Sequence, residues 1–242
     1  MKLSIVIPAY NEERLLPESL AAIHNATTGL TRRGWDYEVI VCDNNSSDAT
    51  AKTAARSGAK VVFEAINQIG RARNTGAASA TGEWLLFIDA DTHPSHRLLA
   101  RTRSIMDSGR HLAGGAVINW ETDVAWAKFG EKLWRGASIS LAWAAGSYLF
   151  VRKDIFDKLG GFNHALYVSE ELDLSIRLNR AARQEGLEPL HIIRDAPAET
   201  SDRKLHLYSG REFLTFFIRS ILFRNRVFRE PGECNIWYDG RR

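Results

Sequence analysis

Cysteine is nearly absent: the 242 residues hold two, Cys42 and Cys234. They lie far apart and form no Cys-x-x-Cys pair, which argues against a disulfide framework or a zinc-thiolate site and suits a reducing cytoplasm. An excess of one charge sign is missing too. With 32 basic and 29 acidic residues the formal net charge is +3, too balanced for a chain that coats nucleic acid, although small anionic ligands stay open. Long apolar runs are lacking as well. The longest uncharged stretch, 136–151, falls short of the roughly 20 residues that span a bilayer, carries Gly and Ser throughout, and is read as core. MKLSIVIPAYNEE has too few apolar residues before Pro8 for a signal peptide and reads as a first strand. Neither G-x-G-x-x-G nor G-x-x-x-x-G-K-[ST] follows that strand, which removes a Rossmann dehydrogenase and a P-loop enzyme.

At 45% apolar and 25% charged composition, the chain can bury its own core and is most simply one large domain, or one domain with an appendage. Strand-like runs alternate with helix-like segments. Leu3 to Ile7 precedes a helix with Leu16, Leu20 and Ile23 on one side; Tyr37 to Val41 precedes an Ala-rich helix near 49–56; Val61 to Phe63 precedes a helix near 71–80; Trp84 to Ile88 follows. This βαβα rhythm predicts an α/β fold with a mostly parallel central sheet flanked by helices. Beyond residue 110 the pattern loosens into 115–119, a segment with Trp120, Trp126, Trp134 and Trp143, and a strand over Tyr148 to Val151. The tryptophans either offer stacking faces to a ligand or pack in the core.

Ligands of such sheets bind beyond the carboxyl ends of the strands, and three polar clusters fall there. They are Pro8-Ala9-Tyr10-Asn11-Glu12, Asp43-Asn44-Asn45-Ser46-Ser47-Asp48 and Asp89-Ala90-Asp91. Two carboxylates at i and i+2 leaving a buried strand offer hard oxygen donors that suit Mg²⁺ or Mn²⁺, ions that complete their shell with phosphate oxygens and water. A diphosphate is the expected ligand. His93, two residues after Asp91, is either a third metal ligand or a turn residue before Pro94. Further on, Ser169 is an N-cap candidate for a helix that continues through Leu172, Ile176 and Arg183, which places Glu170 and Glu171 in its first turn. Acids there either balance the helix dipole or act as a base.

The ordered pieces SIVIPAYNEERLLPESLAAI, VIVCDNNSSDAT, GRARNTGAASATGEWLLFIDADT and GGF with SEELDLSIRL resemble the inverting family-two glycosyltransferases of the GT-A fold, from residue 3 to about 180. The resemblance implies a nucleotide-sugar donor (a UDP-sugar foremost), a divalent cation on Asp-x-Asp, and transfer to the hydroxyl of a saccharide or lipid-linked acceptor with inversion. By the same resemblance Pro8, Ala9, Tyr10 and Glu12 line the nucleotide pocket, and Asp43 accepts a hydrogen bond from base or ribose. Asp89 and Ala90 lie near ribose and metal, and Asp91 ligates the metal directly. Glu171 stands where similar enzymes carry a catalytic Asp, with Glu170 beside it as second candidate. Residues 1–205 are then the transferase unit, with a nucleotide half over 1–110 and an acceptor half over 111–205.

Arg71 and Arg73, near a helix start, are candidates for phosphate contacts or plain surface charge, and Arg203, Lys204 and His206 for clamping phosphate. The tail 206–242 includes REFLTFFIRSILFRNRVFR (211–229), a basic amphipathic helix that either touches a membrane face or covers the core. Two other functions fit the same residues: a catalytically silent sugar-nucleotide-binding module, and a nucleotidyltransferase, for which PAYNEE lacks the Gly-rich basic loop.

Overall fold

The computed structural model describes residues 1–120 and 122–201, together with 212, 215, 219, 228–230 and 232. In chain order the elements are β1 (Lys2–Ala9), α1 (Leu16–Thr31), β2 (Asp36–Asp43), α2 (Thr50–Arg56), β3 (Lys60–Phe63), α3 (Ile69–Ala78), β4 (Trp84–Ile88), β5 (Thr92–His93), α4 (His96–Asp107), β6 (Ala113–Trp120), α5 (Ala125–Leu141), β7 (Tyr148–Arg152), α6 (Lys153–Lys158), α7 (Glu170–Gln184) and β8 (His191–Thr200). The strands form one sheet in the order β3-β2-β1-β4-β7-β6-β8-β5. The first four strands run parallel, as the βαβα rhythm predicts. Beyond β4 the sheet turns mixed: β7 is antiparallel to both β4 and β6, β8 is parallel to β6, and β5 is antiparallel to β8. Residues on both sides of position 110 thus share a single sheet.

Alternation along the strands divides the core between the two faces. Leu3, Ile5 and Ile7 of β1 and Trp84, Leu86 and Ile88 of β4 pack with Leu16, Leu20 and Ile23 of α1 and with Leu98, Leu99 and Met106 of α4. Val6, Leu85 and Phe87 point the other way, toward Ala77 of α3 and Leu174, Leu178 and Ala182 of α7. Side chains at consecutive strand positions take opposite faces, so a strand covered on both sides must be apolar throughout. That is why β4 is buried at every residue.

Three expectations need correction. The uncharged run 136–151 is not uniformly core: Gly136, Ser140 and Leu141, in the last turns of α5, are exposed, whereas Ala144, Ala145 and Tyr148 to Val151 are buried. The inward face of α7 is Glu170, Leu174, Ser175, Leu178 and Ala182, with Ile176 exposed. Ser169 does occupy the N-cap position of α7, but its backbone is left-handed (φ 65°) and its side chain makes no capping bond. Trp120 and Trp134 pack, partly buried, on the α1/α4 face of the core, while Trp126 stays exposed. Segment 211–229 lies almost wholly outside the described residues, as do Arg203, Lys204 and His206.

Candidate active site

The loops leaving β1 and β2 are laced together. Asn11 and Asn45 both adopt left-handed backbone (φ 53° and 66°), a conformation that Asn tolerates better than most residues. These bends let Asn11 N–H donate to Ser46 Oγ (3.0 Å), Glu12 N–H to Thr50 Oγ1 (2.8 Å), Glu13 N–H to Asp48 Oδ2 (3.2 Å) and Ser47 N–H to Asn11 Oδ1 (2.8 Å). Asn44 N–H donates to Ala9 O (2.8 Å), and the buried Asp43 accepts from Ser46 N–H (3.1 Å). Pro8, Ala9, Glu12 and Asp43 therefore share one buried ledge, with the half-buried Tyr10 beside them. Asn44 continues it: its Nδ2 donates to Ile66 O (2.6 Å) and its Oδ1 accepts from Gln68 N–H (2.9 Å), fixing the start of α3. Gln68 in turn donates to His164 O and Leu166 O (both 2.8 Å), in the loop ahead of α7, and accepts from Arg71 Nε (2.9 Å).

The centre of the arrangement is Arg73, only 2% exposed. One guanidinium nitrogen lies 2.6 Å from Glu170 Oε1 and the other 2.9 Å from Asp89 Oδ1. The cation also sits 5.3 Å from the centroid of the Phe162 ring. Its Nε has no hydrogen-bond partner among the described residues. Burial penalises the charge, but Asp89, Glu170 and Glu171 outweigh that and push the Arg73 pKa upward. Space for the fork depends on Gly146, where an added Cβ would fall 2.6 Å from Arg73 Nη2. The turn before α7 is fixed in the same way. Gly160 and Gly161 both have positive φ, Arg177 donates to Leu159 O and Gly161 O (3.0 and 2.7 Å), and Asn74 exchanges two 2.9 Å hydrogen bonds with the backbone of Phe162.

The exit of β4 and the start of α7 thus meet on one guanidinium. Asp89 O accepts from Thr92 N–H (3.1 Å), the turn that places Asp91 after the strand, and Ala90 O accepts from Ser19 Oγ (2.7 Å). Asp91 is half-buried, and its carbonyl accepts from Ser201 N–H (3.1 Å). His93 pairs with Glu199 across β5 and β8, its Nε2 lies 3.1 Å from Ser19 Oγ, and it does not join Asp89 and Asp91 in a three-ligand group as expected of a third metal ligand. Burial, reinforced by the neighbouring Glu171 carboxylate and opposed by Arg73, pushes Glu170 up to about 8. No cluster of three or more His, Cys, Asp or Glu side chains with metal-site spacing occurs among the described residues. Two carboxylates at a strand exit still fit Mg²⁺ or Mn²⁺, because such an ion takes one or two protein carboxylates and fills its shell from substrate phosphates and water.

Gln68 and Asn74 are organising residues that sequence reasoning missed; Asn44, named only within a strand-exit cluster, and Arg73, named as a phosphate contact or surface charge, organise the site in ways it did not foresee. Arg71 is half-buried near the start of α3, with its Nε on Gln68 Oε1. Arg73 is buried, and a signal for that exists: its helical neighbours at ±3 and ±4 are Ile69, Gly70, Gly76 and Ala77, an apolar, small-residue face that turns inward.

Residues 4–160 match the family profile described as Glycosyl transferase family 2. An uncharacterized glycosyltransferase of Mycobacterium tuberculosis is 38% identical over 112 residues, 46% of this chain and 47% of that protein. A dolichol-phosphate mannosyltransferase of Pyrococcus furiosus is 30% identical over 132 residues, 50% of this chain and 36% of that protein. The chain spans about half the length, or less, of these curated relatives. A mannosyltransferase from Pyrobaculum calidifontis, solved with GDP-Man and Mn²⁺, superimposes with a TM-score of 0.67 at 19% identity, covering 92% of this chain and 62% of that one. That likeness establishes the GT-A-type fold. With the family profile matched over more than half of its residues, the chain belongs to glycosyl transferase family 2.

Proposed function

We propose that the chain transfers a sugar from a nucleoside diphosphate, a UDP-sugar foremost, to an acceptor hydroxyl with inversion at the anomeric carbon. The observation that carries this reading is the Arg73 bridge, because one buried cation brings Asp89 of the donor side together with the acidic start of α7. The ledge of Pro8, Ala9, Tyr10, Glu12 and Asp43 receives the nucleoside, and Asp89 and Ala90 face the ribose. Asp91 with Asp89 would hold Mg²⁺ or Mn²⁺, which supplies Lewis-acid stabilisation of the departing diphosphate.

Glu171 is the base. It takes the acceptor O–H proton as that oxygen bonds to the anomeric carbon and the carbon–oxygen bond to the diphosphate breaks, its electron pair leaving on the phosphate oxygen. One base suffices for inversion, since no covalent sugar–enzyme intermediate needs a second carboxylate. Glu170, bound to Arg73 and pushed up to about 8, holds its neighbour in place. A saccharide or lipid-linked hydroxyl is the acceptor class, met at the cytoplasmic face of a membrane. Residues 1–205 form the transferase unit in this reading.

The test is a thermal-shift panel of UDP, GDP, dTDP and CDP with and without Mn²⁺, run on wild type and Glu171→Gln, since a ligand that binds only the folded state raises its stability. One nucleotide is expected to shift both proteins in a cation-dependent way, while Glu171→Gln loses transfer and slow donor hydrolysis. Retained turnover in Glu171→Gln removes it as the base. A wild type that binds a nucleotide yet reacts with no donor turns the reading into a binding module.

A further inference from the structure

The outward face of α5 is apolar. Phe129 is 65% exposed, Leu133 61%, Leu141 49% and Trp126 40%. At 100° per residue these four fall within about 120° of arc, while Ala127 and Ser138 turn inward. Such a stripe is what an ordinary surface helix of a folded domain buries. The charges beside it are mostly basic: Lys128, Lys132 and Arg135 are exposed, Lys128 is paired with Asp123 (3.1 Å), and the helix's single acid, Glu131, turns back so that Oε2 accepts from Trp120 N–H (3.2 Å). At Leu141 the stripe opens into a groove of about 400 Å³ whose apolar wall is Leu141, Trp143 and Ile176 and whose cations are Arg180 and Arg183 of α7.

We infer that this face of α5, continued by the groove, docks the protein onto a bilayer bearing anionic lipid. Apolar side chains enter the acyl boundary while lysine and arginine meet phosphate groups, the chemistry of an interfacial helix. Charge complementarity decides against the other occupants. Two copies across a two-fold axis would bring the same cations together, and the tail segment 211–229 is itself rich in arginine, with Arg219, Arg224, Arg226 and Arg229. Among the described residues no helix is long and apolar enough to cross a membrane, so contact here would be peripheral. The inference concerns a surface apart from the candidate active site and stands whether or not the transferase reading does.

The experiment is co-flotation of the full chain with phosphatidylcholine vesicles containing phosphatidylglycerol, and with phosphatidylcholine alone. Wild type is expected to partition onto the anionic vesicles, less so as salt rises. Phe129→Ser with Leu133→Ser should lower the partition coefficient by about tenfold or more, since each removes a large apolar side chain from the interface. Lys132→Glu with Arg135→Glu should abolish the preference for anionic lipid. The urea midpoint of each variant confirms folding, and brominated lipid should quench wild-type tryptophan fluorescence more than that of Trp126→Phe. Equal flotation of wild type and the Phe129/Leu133 variant overturns the inference, because another segment then carries the binding. So does failure of wild type to float, or a dimer that the Phe129/Leu133 variant splits into monomers.

Discussion

Replacing Arg73 by Lys keeps the charge and removes the fork. The guanidinium reaches Glu170 and Asp89 at once, at 2.6 and 2.9 Å; an ammonium on a shorter, single-pointed arm satisfies one of them. A hydrogen bond to a charged group is worth about 1.5–3 kcal/mol, so Arg73→Lys should cost about 2 kcal/mol. Arg73→Met loses both bonds and the cation, and breaking a buried pair by removing one partner costs about 3–5 kcal/mol. Part of that loss is recoverable, because Asp89 is 24% exposed and takes up water, whereas Glu170 is buried. Combining Arg73→Lys with Asp89→Asn should therefore cost less than the sum of the two single changes, by about 1 kcal/mol. Urea unfolding of the five proteins measures all of this, and turnover should fall with the loss of the bridge. Arg73→Lys within about 0.5 kcal/mol of wild type, or strict additivity with Asp89→Asn, would refute the bridging role.

Three further outcomes follow from the geometry. Burial works against Glu38, but hydrogen bonds from Ser4 Oγ (2.7 Å) and Thr81 N–H and Oγ1 (2.8 and 2.7 Å), with Lys2 nearby, hold its carboxylate at about 2. A depressed pKa gives stability that is complete above the unfolded value near 4.5 and is lost as pH falls toward about 2. After discounting for partial exposure this amounts to about 1–2 kcal/mol, so Glu38→Gln should flatten the acid limb of the stability curve, and an unchanged limb contradicts the assignment. Burial, with Glu64 and Asp43 nearby, pushes the Cys42 thiol up to about 12; iodoacetamide at neutral pH should leave the Cys42 peptide unmodified in folded protein, as mass spectrometry can check. Gly76→Ala gains about 1 kcal/mol of helix propensity but sets a Cβ 2.4 Å from Val6 Cγ1. Overpacking of about 1–3 kcal/mol outweighs that gain, so the urea midpoint should drop and partly return when Val6→Ala is added.

The first four strands and the helices between them could be read from the sequence because a parallel sheet covered on both faces requires largely apolar runs; Trp84 to Ile88 is one, and Leu3 to Ile7 another, broken only by Ser4, whose hydroxyl is bonded to Glu38. Of the second half only the strand over Tyr148 to Val151, which is β7, and the start of α7 could be read. β8 (HIIRDAPAET) lies next to the two-residue edge strand β5, alternates in burial, and contains a proline, so no apolar run marks it. Its partners are also remote: β7 enters between β4 and β6, out of chain order.

At the site the strand exits were legible, because polar clusters directly after buried strands have few structural reasons to exist. Arg73 was not, because a charge on a helix is ordinarily a surface charge. What overrides that rule is visible only in three dimensions: Gly146 leaves room for the guanidinium, and Asp89 and Glu170 arrive from sixteen and ninety-seven residues away to pair with it. The α7 face was misread for the mirror-image reason, since an acid, Glu170, points inward and an isoleucine, Ile176, points out. Polarity patterning assumes that each side chain is placed by its own transfer free energy, and it fails where a partner sets the placement instead. Arg73 with Glu170 is one such place, where the partner is within the chain. The stripe of Phe129, Leu133 and Leu141 is the other, where the anionic bilayer inferred above would be that partner.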